Sequence, residues 1–385
     1  MRYHHLGELP RKHHIAFRKA DGSLYAEQLF STIGFSGPMS TMYHINLPTE
    51  VSSFEDRGAI KRDYIEEEPL RHRHFKTAKM KPHGDAVNGR VLLMGNHECE
   101  WNQVYVAEQM KTFFKNTDGD EILFIHDGKG ELQSMFGTVK FREGDYLVIP
   151  RGTIYKLQFE TLPVRMLAIV SYGPVSIPRR YRNEYGQLLE HAPYKERDFR
   201  APSELVTIDE RKPHEVLIRS RHRLTSYIHP YHPFDIVGWD GYVFPYAFNI
   251  NDFQPITGAI HMPPPIHQTF DGNGFVICSF CPRMLDYYPD AIKIPYNHSN
   301  IDSDEVLYYC NDKFGSRKGI EEGSITMHPL GIPHGPQPGA VEASMPHTRT
   351  EELAVMLDTF HALKIAKNAL SIEDPDYWKS WQAKS

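Results

Sequence analysis

The sequence predicts an all-β dominated protein built from two tandem β-barrels with few short helices. Three observations indicate this architecture. The chain has 385 residues, which is more than one ordinary hydrophobic core accommodates. Short apolar or alternating runs, each closed by turn residues, dominate the chain. A spacing of Gly, Pro and Gly occurs once in each half. We expect one domain over residues 1–205 and a second over residues 206–385.

Six runs carry the strand prediction. Each is short, rich in branched or aromatic residues, and bounded by turn residues, as is typical of strands in barrels and sandwiches. They are EILFI (121–125), DYLVIP (145–150), VRMLAIV (164–170), FVICSF (275–280), EVLYYC (305–310) and ELAVMLD (352–358). Helical spacing of apolar residues is clearest in YAEQLF (25–30) and TFHALKIAKNALS (359–371), for which we predict helices.

Two polar stretches lie between these runs. Residues 181–222 are rich in Arg, Glu and Pro and contain no run typical of a barrel strand, so they are the predicted connector between the domains. Residues 55–84 carry charges of both signs and are interpreted as a solvated excursion, with a subunit contact as the alternative.

Composition and charge narrow the class of partner. The net charge of -6 argues against nucleic acid or anionic lipid, so the expected partner is a small molecule. The four cysteines are too few for a disulfide framework in a chain this long, which favours a reducing compartment. The Cys278-x-x-Cys281 pair is interpreted as buried strand thiols. The absence of a secretory signal and of any apolar run of about 18 residues predicts a cytoplasmic protein.

The most informative pattern is an internal repeat with the spacing G-x5-P-x-G-x2-[H/Y]. Each copy follows an earlier cluster of polar residues at a similar distance, which makes a chance match hard to sustain. The first copy is Asn116, Asp118 and Glu121, then Gly144, Pro150, Gly152 and Tyr155; the second is His298, Asn300 and Glu305, then Gly323, Pro329, Gly331 and His334.

The second copy predicts a metal site on His298, Glu305 and His334. Alternation along a strand directs His298 and Asn300 into the barrel, and the turn at Pro329 returns His334 to the same cavity. Two imidazoles and one carboxylate with open positions are typical of non-haem Fe(II) enzymes that bind O2 and substrate together. Manganese and zinc remain compatible with the same ligands. The first copy has Tyr and Asn where imidazoles would stand, so we interpret the N-terminal barrel as structural or oligomerising.

Seven motifs occur in order along most of the chain. They are LYAEQLF (24–30), NTDGDEILFI (116–125), GTVKFREGDYLVIPRGTIYKL (137–157), ERDFRAP (196–202), FDIVGWDGYVFPYAFNINDF (234–253), PYNHSNIDSDE (295–305) and ITMHPLGIPHGP (325–336). The pattern H-x-(H/N)-x4-E followed by G-x5-P-x-G-x2-H is the double signature of the cupin superfamily. The ordered set resembles the motifs of homogentisate 1,2-dioxygenases, which are bicupins of that superfamily.

This resemblance implies an oxidoreductase with one Fe(II) per chain that opens a hydroquinone-type ring with both atoms of O2. Family members convert homogentisate to maleylacetoacetate in tyrosine and phenylalanine catabolism. Their iron ligands map onto His298, Glu305 and His334, and a pocket histidine maps onto His328. The resemblance also implies a homo-oligomer, either a trimer or a hexamer built from trimers.

Two positions depart from the family pattern. Where the family has Trp-His-Gly, with the histidine as the base, this chain has Asp240, a weaker base at its ordinary pKa. We therefore consider His267, which follows a stiff run of prolines, as the replacement base, with Asp240 as the alternative. Where the family has a substrate-binding tyrosine the chain has Phe314, and Tyr308 or Tyr309 is the predicted substitute, since only one of two neighbours can face the pocket.

The remaining substrate contacts are predicted from position. Asn300 lies in the ligand motif, and Arg317 or Lys313, after the metal-bearing strand, would bind a substrate carboxylate. Three alternatives stay open: the same metal acting on another ring such as gentisate or a simple hydroquinone, a metal-dependent isomerase that needs no O2, and a non-catalytic storage or regulatory protein.

Overall fold

The computed structural model describes residues 3–66, 68–317 and 319–382, and nearly all regular structure in these ranges is β-strand. The strands of the first half are β1 (His4–Gly7), β2 (Ala26–Ser31), β3 (Met39–His44), β4 (Ser53–Ala59), β5 (Arg73–Lys76), β6 (Arg90–Gly95), β7 (Cys99–Val106), β8 (Phe113–Asn116), β9 (Asp120–Ile125), β10 (Gly130–Ser134), β11 (Gly137–Phe141), β12 (Asp145–Ile149), β13 (Ile154–Phe159), β14 (Val164–Ser171) and β15 (Phe199–Arg200).

The second half continues the same pattern. Its strands are β16 (His214–Ser220), β17 (Arg223–His229), β18 (Ile236–Gly241), β19 (Tyr246–Asn249), β20 (Gln268–Asp271), β21 (Phe275–Phe280), β22 (Arg283–Met284), β23 (Asp304–Tyr309), β24 (Ser324–His328), β25 (Arg349–Thr350), β26 (Ala354–Thr359) and β27 (Lys364–Ile365). The α-helices of the described ranges are α1 (Ala340–Ser344) and α2 (Lys367–Leu370), and single 3-10 turns lie at Thr77–Lys79, Arg179–Tyr181, Glu196–Asp198, Ile250–Asp252, Pro264–His267 and Tyr377–Trp381.

Two large sheets enclose the N-terminal barrel. One has the order β11-β10-β13-β8-β16-β17-β4 and the other the order β15-β19-β12-β9-β14-β7-β6-β27. The barrel interior is filled by aliphatic side chains from alternating positions of these strands, such as Leu123, Leu147 and Leu157. The interior of this half is therefore a packed core.

The C-terminal sheet has the order β20-β21-β26-β23-β24-β5. One of its faces packs on the N-terminal barrel, where Val306 and Leu357 join the same cluster as Ile122 and Ile169. Its other face carries a separate small cluster that includes Leu307 and Tyr309. Because both faces of the central strands are covered, these strands are continuously hydrophobic.

One strand crosses between the halves. β5 lies early in the chain, yet it pairs antiparallel with β24 at the edge of the C-terminal sheet, with Phe75 opposite Ile325. In return β27 pairs with β6 of the N-terminal barrel. The two halves therefore complete each other's sheets.

The strand predictions are confirmed, while four other predictions are wrong in whole or in part. YAEQLF forms β2, because residues 26–31 pair along their length with β3 and this tertiary pairing overrides the helical spacing. Of the C-terminal helix only α2 forms. The predicted connector contains β16, and the predicted excursion contains β4 and β5.

The strand pairing does not follow the domain boundary predicted near residue 205. β16 and β17 pair with β8 and β4, and β19 pairs with β12, so residues 214–249 lie with the N-terminal half. The reason is that these segments fill sheet edges left open by the first 200 residues. The four cysteines are free, as predicted. No helix in the described ranges is both long and apolar enough to cross a membrane.

Candidate metal centre

The two predicted histidine ligands face each other across a single β-bridge. The backbone N–H of His298 donates to the carbonyl of His334 at 2.8 Å, and the reverse bond is 2.9 Å long. The rings lie 4.3 Å apart between centroids. Ligands from segments far apart in sequence are thus fixed by reciprocal backbone hydrogen bonds, which set their Cα positions without any metal.

Backbone carbonyls also orient both rings. Nδ1 of His298 lies 3.1 Å from the carbonyl of Tyr296, and Nδ1 of His334 lies 3.1 Å from that of Ile332. An Nδ1–H that donates to a carbonyl leaves Nε2 as the unprotonated nitrogen, which is the form that binds metals. Each Nε2 atom lies 3.5 Å from a different oxygen of Glu305.

Glu305 supplies the carboxylate at the start of β23. Burial by itself raises its pKa, but contacts with His298, His328 and His334 outweigh this and hold the pKa of Glu305 well below its usual range. The side chain therefore carries a negative charge at neutral pH. A buried negative charge surrounded by imidazoles is suited to a cation.

The donor set fits a metal ion on structural grounds. The ligand atoms of His298, Glu305 and His334 all lie within 4.8 Å of one another. Nε2 of His334 is buried and has no hydrogen-bond partner among the described residues, which is costly unless something binds there. One carboxylate oxygen and two nitrogens leave further coordination positions open to other molecules.

Asp304 holds the loops around this centre. Its Oδ1 accepts from the backbone N–H of Leu330 at 2.8 Å, and its Oδ2 accepts from that of Leu363 at 2.6 Å. Asn300 contributes through its carbonyl, which accepts from the N–H of Gly331 at 2.7 Å. The predicted role of Asn300 in binding substrate stays a prediction, and its observed contact supports the turn that carries His334.

His328 lies directly behind the carboxylate ligand. Burial lowers the pKa of His328 to about 3, so the ring is neutral. Its Nδ1 lies 2.7 Å from Oε1 of Glu305, while its Nε2 is buried without a partner in the described ranges. The ring stacks on His334 with centroids 4.6 Å apart. His328 thus touches two of the three ligands.

Sequence reasoning missed several residues at this centre. His72, just before β5, lies 6.1 Å from His334 and 4.8 Å from Trp381 between ring centroids. Burial lowers the pKa of His72 to about 4. Asp358 stands opposite Glu305 in register, and burial raises its pKa well above the usual range, with the charge of Glu305 adding to the rise. His72 was missed because nothing in the sequence indicated that β5 pairs with β24.

Arg317 lies beside the loop that carries His334. Its guanidinium donates to the carbonyl of Gly335 and stacks over Trp381 at 5.5 Å from the ring centroid. Its Nε is buried without a partner among the described residues. Lys313 is exposed on the preceding turn. Of the two predicted cations, the structure brings Arg317 to the centre.

The tyrosine pair alternates as expected. Tyr309 faces the interior of the C-terminal barrel, where its hydroxyl lies 2.9 Å from Oγ1 of Thr326 and its ring meets Phe314 edge-on at 4.8 Å. Tyr308 faces the other way, and its hydroxyl lies 2.8 Å from Nδ1 of His126 between the barrels. Of the two tyrosines, Tyr309 therefore lies on the face of β23 that carries Glu305 and Leu307, with Phe314 packed against it.

Neither predicted base lies with the ligands in this chain. Asp240 is in β18, between β1 and β3, where it accepts from the Tyr3 hydroxyl at 2.7 Å and lies 2.8 Å from Nε2 of His13. That sheet is separate from the sheet that contains Glu305.

His267 stacks on Phe280, with ring centroids 4.5 Å apart. Phe280 lies in β21, four residues along the strand from the position that is level with Glu305 across the sheet. Four residues of strand span about 13 Å, so His267 stacks on a residue well away from Glu305. Burial lowers the pKa of His267 to about 3, and Arg283 adds to this. The structure thus gives His267 the properties of a core histidine.

The N-terminal barrel contains a matching position without metal ligands. Glu121 lies where Glu305 lies in the second barrel; it accepts from Tyr155 Oη at 2.6 Å and from Asn116 Nδ2 at 3.1 Å. Its charge is paired with the guanidinium of Arg90, which also donates to Tyr155. An arginine therefore provides the positive charge that a metal would provide in the second barrel.

The chain is similar to known proteins over nearly its whole length. A family profile described as Homogentisate 1,2-dioxygenase N-terminal matches residues 4–250, and one described as Homogentisate 1,2-dioxygenase C-terminal matches residues 263–385. A protein of Saccharolobus solfataricus, provisionally named a dioxygenase, is 40% identical over 382 residues and covers 98% of each chain. Homogentisate 1,2-dioxygenase of Dictyostelium discoideum is 26% identical, covering 93% of this chain and 89% of its own length.

Solved structures overlap only loosely. A cupin 2 conserved barrel domain protein from Leptotrichia buccalis overlaps 81% of this chain and 98% of its own, at 11% identity and a TM-score of 0.31. A Bacillus subtilis oxalate decarboxylase variant covers 78% of this chain and 81% of its own, at 10% identity and a TM-score of 0.34. The chain belongs to the homogentisate 1,2-dioxygenase family of ring-cleaving oxidoreductases.

Proposed function

We propose that this chain is an Fe(II)-dependent dioxygenase that converts homogentisate and O2 to maleylacetoacetate, with one metal per chain held by His298, Glu305 and His334. The observation that supports this most directly is the orientation of the two imidazoles. Each Nδ1 is held by a backbone carbonyl, so both Nε2 atoms face the same carboxylate at 3.5 Å. A facial set of two His and one carboxylate is typical of non-haem Fe(II) oxygenases.

When bound, the metal would supply adjacent positions for a substrate hydroxyl and for O2. The protein's own residues supply charge and orientation. Glu305 offsets the cation, and His328 fixes one oxygen of that carboxylate. Arg317, next to the ligand loop, is the proposed partner for the substrate carboxylate. Tyr309 and Phe314 would bound the ring on the cavity side of β23.

We propose that the proton acceptor is one of the two residues predicted as the base, His267 or Asp240. Asp240 is the stronger candidate by chemistry, because the low pKa of His267 makes that ring a poor base. Asp240 lies on a separate sheet of the same chain. It could therefore act only at the metal centre of a neighbouring subunit in the proposed oligomer. The variants described in the Discussion test both residues.

A second candidate is the same reaction on gentisate or a simple hydroquinone. The observation that favours it is Phe314, which offers no hydroxyl where the family resemblance implies a substrate-binding tyrosine. A ring with fewer polar contacts would suit that position. Membership in a dioxygenase family disfavours the isomerase and storage alternatives.

The test is anaerobic loading of the metal-free protein with Fe(II), Mn(II) or Zn(II), followed by O2 uptake with homogentisate, gentisate and hydroquinone. We expect uptake with Fe(II) alone, fastest with homogentisate, and incorporation of both atoms of isotopically labelled O2 into the product. His334→Ala should lose iron and uptake, whereas His191→Ala, at an exposed position, should retain both. Uptake that does not depend on iron, or its absence with every ring, would refute the proposal.

The oligomeric state and location are proposed from the family resemblance alone. We propose a trimer or a hexamer built from trimers, which light scattering of the purified protein would test. A cytoplasmic location stays a prediction.

A further inference from the structure

We propose a second metal site, on His97, Glu98 and His361, that binds a divalent transition metal such as Zn2+ and joins the two barrels. It is separate from the ring-cleaving centre. His97 and Glu98 lie in the turn between β6 and β7 of the N-terminal barrel. His361 lies in the turn between β26 and β27.

The ligand atoms are already close to coordination geometry. Nδ1 of His361 lies 3.2 Å from Oε1 of Glu98, and Nε2 of His97 lies 3.9 Å from the same oxygen. The three ligand atoms all fall within 4.8 Å of one another. Atoms bound at about 2.0–2.2 Å around tetrahedral zinc lie about 3.3–3.6 Å apart. The observed distances bracket this range and resemble those at the ring-cleaving centre.

Glu98 provides the independent evidence for a ligand. Its side chain is 9% exposed, while the two imidazoles are 69% and 59% exposed. Its Oε2 is buried and has no hydrogen-bond partner among the described residues. The ion pairs found for Glu98 in those residues are with His97 and His361. A buried carboxylate in this position needs a positive charge, which a divalent cation supplies.

The two turns are held rigidly around this carboxylate. Oδ1 of Asn96 accepts from the N–H of Glu98 at 2.8 Å and from that of Cys99 at 3.0 Å. Nδ2 of the same Asn96 donates to the carbonyl of His361 at 3.0 Å, so one side chain joins both turns. Thr359 Oγ1 donates to that carbonyl as well, at 2.9 Å. The imidazoles are therefore presented by backbone that is already in place.

Gly274 makes room for the carboxylate. It adopts φ +81°, and a Cβ atom there would lie 1.8 Å from the carboxyl carbon of Glu98. The Glu98 side chain therefore packs over a bare glycine backbone, with its Oε1 towards the imidazoles. The backbone N–H of Phe360 donates to the carbonyl of Gly274 at 2.8 Å, which ties this strand end to the turn that carries His361.

The donor set indicates the class of metal. Neutral imidazoles and one carboxylate favour zinc and its neighbours in the first transition series over the hard cations calcium and magnesium, which prefer oxygen ligands. Because both imidazoles are exposed, a fourth position is open to water. The site bridges a turn of each barrel, so the metal would oppose separation of the two barrels at this edge.

The test measures zinc in the full-length, chelator-stripped protein. We expect two Zn2+ per chain in the wild type, one in His298→Ala/His334→Ala, one in His97→Ala/His361→Ala, and none in the quadruple variant, by equilibrium dialysis and elemental analysis. In the His298→Ala/His334→Ala background, added Zn2+ should raise Tm, because a ligand that binds only the folded state stabilises it. Equal zinc content with and without His97 and His361 would overturn the proposal.

A second set of variants separates metal binding from structural damage. His97→Gln/His361→Asn keeps polar side chains at two exposed positions, so the fold should be retained, as circular dichroism would verify. Its Fe(II)-dependent O2 uptake at low temperature should match the wild type, while the zinc-dependent rise in Tm should be lost. Substituting Co2+ for Zn2+ gives a visible spectrum from the bound ion. A cobalt spectrum that survives in this variant when the ring-cleaving ligands are also removed would overturn the proposal.

Discussion

His328 and Glu305 face each other directly across β24 and β23, and Nδ1 of His328 lies 2.7 Å from Oε1 of Glu305. The contact fixes one oxygen of a carboxylate that also faces both imidazole ligands. Loss of a partner that holds a metal ligand in this way typically lowers metal affinity.

We therefore expect His328→Phe to weaken Fe(II) binding by about 10–100-fold while the protein remains folded. Because the phenyl ring fills the space of the imidazole, the loss of affinity reports the missing hydrogen bond to Glu305. Titration of metal-free protein with Fe(II) under anaerobic conditions measures it. His74→Phe, on the neighbouring strand and also buried, is the control for ring burial in this sheet. An unchanged affinity in His328→Phe would contradict the role given to His328.

The pair of Arg90 and Glu121 in the N-terminal barrel should be a major source of stability. Their side chains are 9% and 1% exposed, so removing one partner leaves the other charge buried. We expect Arg90→Met to lower the free energy of unfolding by about 3–5 kcal/mol, and Arg90→Met/Glu121→Leu to recover much of the loss. Urea unfolding at neutral pH measures both. A double variant no more stable than the single one would argue against charge burial as the cause.

The same pair predicts a pH dependence. Burial raises the pKa of Glu121, but Arg90, Tyr155 and Asn116 outweigh it and hold the pKa below the ordinary value of 4.5. A carboxyl whose pKa is lower in the folded state stabilises fully above the unfolded value and loses this as pH falls through the folded value. The wild type should thus lose stability below about pH 4.5, more steeply than Glu121→Gln, in urea unfolding series across pH.

Arg317 is expected to determine preference for acidic rings. A charge-assisted hydrogen bond contributes about 1.5–3 kcal/mol, so Arg317→Met should raise KM for homogentisate about 10–100-fold. KM for hydroquinone, which lacks the carboxylate, should stay near its wild-type value. Lys313→Met, at an exposed position nearby, is the matched control. An equal rise in KM for both rings would indicate that Arg317 instead supports the His334 loop through Gly335 and Trp381.

The two predicted bases should respond differently to substitution. We expect His267→Phe to retain kcat within about tenfold, because its pKa of about 3 and its stacking on Phe280 leave it unsuited to accept a proton. Loss of a general base costs about 10²–10⁴-fold in kcat. Steady-state O2 uptake of His267→Phe and Asp240→Asn, each across pH, compares them. A fall of that size in His267→Phe would restore it as the base.

The convergence of His298, Glu305 and His334 could be predicted because each of these residues stands in a short motif with its own turn signals. His298 and Glu305 lie seven positions apart around one turn, and Pro329 with Gly331 fixes where His334 returns. Strand alternation then placed Tyr309 and Tyr308 on opposite faces correctly. These inferences needed only the period of a strand and the geometry of a turn.

What could not be predicted depends on pairing between distant segments. His72 reaches the centre because β5 joins β24, and Trp381 reaches it from the C-terminal turn. The helical spacing of residues 25–30 was misleading because pairing with β3 decided the conformation. Asp240 kept its position in the motif, yet that motif says nothing about the sheet in which the residue lies.

β5 also has a consequence for the order in which the protein matures. Its His74 meets Ser324 across 250 positions of chain, and the sheet that contains Glu305 has an open edge until that contact forms. At usual rates of ribosomal synthesis the early strand must wait on the order of tens of seconds for its neighbour to be made. The cluster of His298, Glu305 and His334 is thus completed only after almost the entire polypeptide has emerged, and a chain released before β24 is made would expose the unpaired β5 to other molecules.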